Sequence, residues 1–374
     1  MINSPEIREQ CAQQLLAAAD RASKMTAFVG VDGFVDEILH VVDKRENATS
    51  FTRLPTIGQF AERLAAAAGR STNVELVCHM RKLGGNGPIM SNALASFGLK
   101  VSYVGNLGFP DIHPVFHDFA RRAEVHSIAP PGLTDALEFN DGKIMVGKHE
   151  SLKEVTWPNI VARWSREGFV NKFSTSDFVG FVNWTMIPFM SDVWATVLSE
   201  LCPGLNGTRR KMFFDLADPE KRLPEDIRRA LELITGFEKY FDVILGLNEK
   251  EAYEVAKVLG IPDQPHTSEG LAIMASEIHQ RVPVQTLVIH PVTYALCVSG
   301  NGVAMMIGAH TPKPLITTGA GDHFNSGFCL GKLFGFPDAL CLLTGVTASG
   351  YYVRSGQSPT IPQLAGMMRD WPEE

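Results

Sequence analysis

From Phe178 to Gly260 the chain alternates short apolar runs with amphipathic stretches, and this rhythm most constrains what it can fold into. Strands are expected at Phe178 to Asn183, Lys211 to Leu216 and Val243 to Leu247. Helices are expected near Met190 to Leu201, over Pro224 to Phe237, and from Asn248 to about Gly260. Such alternation predicts a parallel sheet whose right-handed helical crossovers cover both faces. The flanking segments extend the pattern. Ser4-Pro5-Glu6 opens a helix with Ile7, Cys11, Leu15, Ala18 and Ala22 on one face, a cap followed by proline at the first position. Thr26 to Val31 and Val101 to Val104 read as buried strands. Thr286 to His290, Ala295 to Ser299 and Val303 to Ile307 read as an antiparallel tail, followed by helices at Pro337 to Val353 and Ile361 to Arg369. No repeat, low-complexity segment or composition shift marks a second domain.

One region breaks the rhythm. Thr134 to Phe139 and Lys143 to Lys148 flank Asn140-Asp141-Gly142, the turn chemistry of a β-hairpin. Together with a helix capped by Thr56 over Ile57 to Ala68 and a strand over Val74 to Met80, it predicts a small accessory layer.

Four stretches carry chemistry. In Thr317-Thr318-Gly319-Ala320-Gly321-Asp322 the glycines fall on a turn entering a helix. Unpaired N–H groups and the helix dipole make that turn an anion site. Asp322, in the first helical turn, reads as a base; with a reference pKa of about 3.9 it is expected to be ionised at neutral pH. An ordinary strand-to-helix turn with an acidic first residue has the same pattern. Asp32 and Asp36 stand at the carboxyl end of the strand that begins at Thr26, where acceptors could grip sugar hydroxyls or simply form a solvated turn. Gly84-Gly85-Asn86-Gly87-Pro88 precedes a small-residue helix, Ile89 to Phe97, and would let a ligand approach the backbone. Asn248 and Glu251 have the spacing of a capping box, and equally of oxygens that hold water on magnesium. His113 and His117 are four apart but lack the adjacent glutamate of a zinc motif, and Pro114 suits a helix start.

With 34 basic and 41 acidic residues the net charge is −7 and no basic run occurs, which excludes a nucleic-acid face. The six cysteines include no C-x-x-C pair and read as reduced thiols of a cytoplasmic protein. Neither a signal peptide nor a membrane-spanning run is expected.

In their order and spacing these stretches resemble the ribokinase-like (PfkB-type) carbohydrate kinase family over about Phe28 to Pro362. The strand ending in Asp36 resembles the one that supplies the family's sugar-gripping aspartate. Gly84-Gly85-Asn86 through Gly98 matches its first glycine signature, Asn248 to Glu251 its N-x-x-E motif, and Gly319-Ala320-Gly321-Asp322 its second signature. The resemblance implies a single three-layer αβα sandwich domain over 1–374, with a mostly parallel central sheet, an extra N-terminal helix over 4–23, and a β-strand lid built from about 36–50, 74–83 and 134–149. It implies ATP as phosphate donor, Mg²⁺ steered through water by Asn248 and Glu251, and phosphoryl transfer to a hydroxyl of a sugar or sugar acid. Asp322 would be the base and Gly319, Ala320 and Gly321 the anion hole. Asp36, Asp32, Gly84, Gly85, Asn86 and Asn183 would bind the sugar. A homodimer through the lid is also implied.

The chain departs from the pattern in places. Ile316 replaces the aspartate of a monovalent-cation site, which puts activation by such an ion in doubt. Ile89 replaces a sugar-contacting asparagine. Pro291-Val292-Thr293-Tyr294 stands where glycines commonly flank the nucleotide. The alternatives are a nucleoside kinase of the same fold and a non-catalytic sugar or nucleotide sensor.

Overall fold

Residues 3–372 are described by the computed structural model. Their strands, in chain order, are β1 (Thr26–Gly30), β2 (Phe34–Arg45), β3 (Phe51–Arg53), β4 (Leu76–Gly84), β5 (Lys100–Gly105), β6 (Glu124–Ser127), β7 (Gly132–Phe139), β8 (Gly142–Lys148), β9 (Phe178–Phe181), β10 (Arg210–Asp215), β11 (Phe241–Asn248), β12 (Thr286–His290), β13 (Tyr294–Ser299) and β14 (Gly302–Ile307). Nine of these form one sheet in the order β14-β13-β12-β11-β10-β9-β1-β5-β6. The pairs from β12 through β6 are parallel, whereas β13 and β14 are antiparallel additions. This is the expected mostly parallel sheet.

Successive side chains on a doubly covered strand enter different cores. On β10, Met212 and Phe214 enter the layer formed by helices Met190–Thr196, Pro224–Phe237, Glu249–Val258 and Ser268–Arg281. Phe213 enters the opposite layer, with helices Pro5–Ala22, Asn86–Ser96, Ala320–Phe334, Asp338–Ser355 and Ile361–Arg369. Each such ring contributes about 1.5–3 kcal/mol by burial. The result is an αβα sandwich, with helices Trp157–Arg163, Arg166–Thr175 and Ser268–Arg281 additional to those expected.

The remaining five strands make a separate sheet in the order β3-β2-β7-β8, with β4 also on β2. Strand β2 is its centre. It pairs antiparallel with β4 over Phe34 to Val41 and parallel with β7 over Phe34 to Leu39. This sheet corrects the reading of Asp36. Rather than ending a strand with Asp32, Asp36 lies inside β2, and only Val31 to Gly33 separate β1 from β2. The extent of β2 is hidden in sequence because both faces are covered. Leu39 and Val41 pack with Phe60 and Leu137 in a small core of their own, while Asp36 faces a cavity, so the strand lacks the polar alternation of a half-exposed one.

Candidate functional site

Strands β1, β9, β10 and β11 all end at one edge, where helices begin and ligands of open parallel sheets bind. The helix Ala320–Phe334 starts there. Its N-cap, Gly319, has φ 98°, and no side chain caps the turn. A left-handed residue is required, and any Cβ would meet the Tyr352 hydroxyl at 3.1 Å. This one turn is the wall between two cavities. One, about 570 Å³, is polar and is lined by Asp36, Asn86, Asn183, Glu251 and Asp322. The other, about 320 Å³, is lined by Ala320 and Gly321 together with Pro291, Tyr294, Phe324 and Val353.

Asp322 is buried beside the polar cavity. Burial pushes its carboxyl well above the ordinary carboxylate range and the charge of Asp32 adds to this, while a hydrogen bond from the Asn86 side chain and the nearby Lys82 pull the other way. The expectation of a carboxylate with an ordinary pKa is therefore corrected. Desolvation, which sequence does not display, dominates.

The first glycine stretch differs from the open loop expected. β4 runs up to Gly84, and the helix begins at Asn86, not Ile89. Its N-terminal N–H groups are already used: Asn86 N donates to Asp32 Oδ2 and Gly87 N to Asp32 Oδ1, each at 2.9 Å. Asn183 Nδ2 and the Tyr103 hydroxyl also donate to this carboxylate, at 2.6 and 3.2 Å. Asp32 is fully buried and its acid is pushed up to about 6 by that burial. The expected pair of sugar-facing carboxylates thus reduces to Asp36. Asp32 fills a helix N-terminus from inside, and Asn183 keeps a buried Oδ1 without a partner on the cavity wall.

Gly84 is opposite Phe34 in the register, two residues from Asp36 on the same face of β2, and is not on the cavity wall. A Cβ there would stand 2.4 Å from the Asp36 carboxylate, so the glycine makes room for Asp36 instead of touching a ligand. Burial raises Asp36, offset by Lys82, a hydrogen bond from Thr134, and Lys143. Gly85 and Asn86 do line the cavity. Ile89 lines it as well, and a Cβ on Gly319 would meet this side chain at 3.3 Å.

Asn248 and Glu251 form a complete capping box: Glu251 N donates to Asn248 Oδ1 at 2.9 Å and Asn248 N to Glu251 Oε2 at 2.8 Å. Glu251 Oε1 accepts from Asp218 N at 2.9 Å. His113 is a cap too, its Nδ1 accepting from Val115 N. Ile316 brings no carboxylate; its amide faces Val353 O.

Sequence reasoning missed three residues. Lys82, paired with Asp36 across β4 and β2, sends Nζ to Thr318 O at 3.4 Å, and Lys143 of β8 sends Nζ to Thr318 Oγ1 at 3.3 Å. Both lid strands therefore grip the glycine turn. Asp215, at the end of β10, is buried with Oδ1 unpartnered, and burial together with the charge of Glu251 raises its acid well above the usual range. It precedes Ala217 and Asp218, both at positive φ, a turn that the residue types in the sequence do not mark. All six cysteines are unpaired, and among the described residues no helix is long and apolar enough to cross a membrane.

The family profile described as prokaryotic ketohexokinase matches residues 5–371. A curated ketohexokinase of Haloferax volcanii is 27% identical over 358 residues, covering 95% of this chain and 93% of that protein. Ribokinase of Arabidopsis thaliana, solved with ribose and ATP, superposes with a TM-score of 0.64 at 16% identity over 92% of this chain and 98% of its own. A nucleoside kinase of Methanocaldococcus jannaschii shares the fold with a TM-score of 0.58 at 14% identity, covering 92% of this chain and 98% of that one. The chain belongs to the prokaryotic ketohexokinase family, carbohydrate kinases of the ribokinase fold.

Proposed function

We propose that the protein transfers the γ-phosphoryl group of ATP to a hydroxyl of a ketohexose held in the polar cavity, with Asp322 as general base. The observation that carries this reading is the single helical turn between the two cavities. Sugar and nucleotide on its two sides would meet at Gly319 to Asp322, the reach that in-line transfer needs.

Asp36 and Asn86 orient hydroxyls, and the free Oδ1 of Asn183 accepts one more. Asp322 Oδ removes the proton of the attacking hydroxyl, held toward it by Asn86. The N–H groups of Gly319, Gly321 and Asp322 face the phosphate charge at the positive helix end; that of Ala320, expected to share this role, donates to Thr317 O at 3.1 Å instead. Lys82, beside Asp36 and Asp322, adds a cation there. Closure of the lid strands, with Lys82 and Lys143 on Thr318, excludes water.

The residues also suit Mg²⁺. Asp215 and Glu251 are buried carboxylates with raised acids, and Asp215 Oδ1 lacks any partner, an arrangement that a divalent cation relieves. Asn248, Glu251 and Asp215 would hold it through water. Mg²⁺ supplies neutralisation of the phosphate oxygens when it arrives with the nucleotide.

The test is a phosphorylation panel with ATP and Mg²⁺ against ketohexoses, aldohexoses, ribose and nucleosides. A ketohexose should give the highest kcat/KM. Preferred turnover of a nucleoside would overturn the substrate, and calorimetric sugar binding without turnover would overturn the reaction.

A further inference from the structure

The lid carries a second cluster, and none of its residues lines either cavity. Glu138 of β7 stands beside His40 of β2. On the other side of β2 the register shifts: Ile38 faces Met80 and Leu39 faces Cys78, leaving His79 as an extra residue in β4. This bulge re-aims the His79 side chain. His79 Nε2 lies 3.2 Å from Glu138 Oε2 and His40 Nε2 lies 3.7 Å from the same oxygen. The two imidazoles stack with centroids 4.4 Å apart. The three donor atoms all lie within 4.8 Å of one another.

These spacings are close to those of a coordination sphere. Bonds of about 2.0–2.1 Å in tetrahedral geometry put neighbouring donors roughly 3.3 Å apart. Each residue is half-exposed, so a metal has an entry path. Arg53 Nη1 is 3.1 Å from His40 Nε2. A guanidinium only donates, so this nitrogen presents a lone pair. Arg53 Nη2 also donates to Asn140 Oδ1 at 2.7 Å, an anchor that remains if Nη1 yields its place.

We propose that His40, His79 and Glu138 form a binding site for a divalent transition metal of the zinc class, its fourth position open to water. Two imidazoles and one carboxylate suit Zn²⁺ and disfavour Mg²⁺ and Ca²⁺, which take oxygen ligands. Bound there, the metal ties the central lid strand to both neighbours, four residues along β2 from Asp36. This site is independent of the phosphoryl-transfer reading and is read out without sugar or ATP.

The experiment is competition for Zn²⁺ between the chelator-stripped full-length protein and a chromophoric chelator, at neutral pH with excess Mg²⁺. Wild type should bind one equivalent. His79→Ala and Glu138→Gln should each weaken binding about tenfold or more, with circular dichroism showing that both variants are folded. Arg53→Gln, which removes the competing cation, should tighten it. Failure of wild type to hold an equivalent, or affinity unchanged in the first two variants, would overturn the site. So would loss of the equivalent in Cys78→Ser alone, which would assign the metal to the exposed thiol.

Discussion

Asp322 is held at cross purposes by its surroundings. Its acid is raised in the folded protein, so its ionisation opposes folding. The stability it contributes is present below the unfolded value of about 3.9 and is lost as the pH rises through the raised folded value. Asp322→Asn should therefore melt higher than wild type at neutral pH while kcat falls by about a hundredfold or more, a pairing checked by calorimetry and steady-state rates. For the wild type, the acid limb of kcat/KM should lie above the ordinary carboxylate range, because that profile titrates the free enzyme. Gly84→Ala tests the neighbouring subsite. Its Cβ collides with the Asp36 carboxylate, so the KM for sugar should rise about tenfold or more while that for ATP holds, an overpacking cost of about 1–3 kcal/mol felt on one side of the wall. Asp322, Asn248 and Glu251 were legible in the sequence as helix-start residues because such starts are local, whereas the start at Asn86 was placed three residues late. Lys82 and Asp215 were not legible, since Lys82 acquires its role only through pairing with Asp36 across two strands, and Asp215 through burial beside Glu251.

Among elements, the helix Glu249–Val258 offers the cleanest separation of fold from chemistry. Asn248 caps it and is proposed to steer Mg²⁺ as well. Serine caps a helix about as well as asparagine but is shorter and has no amide. Asn248→Ser should leave the melting temperature nearly unchanged, whereas the Mg²⁺ concentration for half-maximal rate rises several-fold; Asn248→Ala should lose about 1 kcal/mol of stability in addition. Helices with such end signals were read closely from sequence: Pro224–Phe237 and Ile361–Arg369 fall where their prolines and caps place them. Strands were harder. β2 was foreshortened because a cavity covers one face and a helix the other, and β4 was placed short of its end because the segment that pairs with β2 carries Arg81 and Lys82 into the glycines.

At the scale of the molecule, the lid leaves apolar side chains uncovered. Leu133 and Val146, on the face of the lid turned away from the polar cavity, are each more than two-fifths exposed. Exposed apolar side chains on an open sheet invite association, and we propose two-fold pairing of lids as their use. Analytical ultracentrifugation should find a homodimer, and Val146→Glu should shift it to monomer with the kinase core still folded. The αβα layering was legible because buried strands and amphipathic helices alternate over long stretches; how the lid sits over the sheet was not, since it depends on Lys82 and Lys143 reaching Thr318 from strands distant in sequence. The partition between the two cavities also constrains redesign. Its thickness is one helical turn, with Gly319 and Asp322 facing one way and Ala320 and Gly321 the other. Neither chamber can be enlarged through that shared wall without disturbing its neighbour. On the proposed assignment of the two cavities, a new acceptor would be engineered from Met145, Gly147 and the other lid residues and a new donor from Pro291, Val292 and Tyr294, which leaves the two specificities free to be altered one at a time.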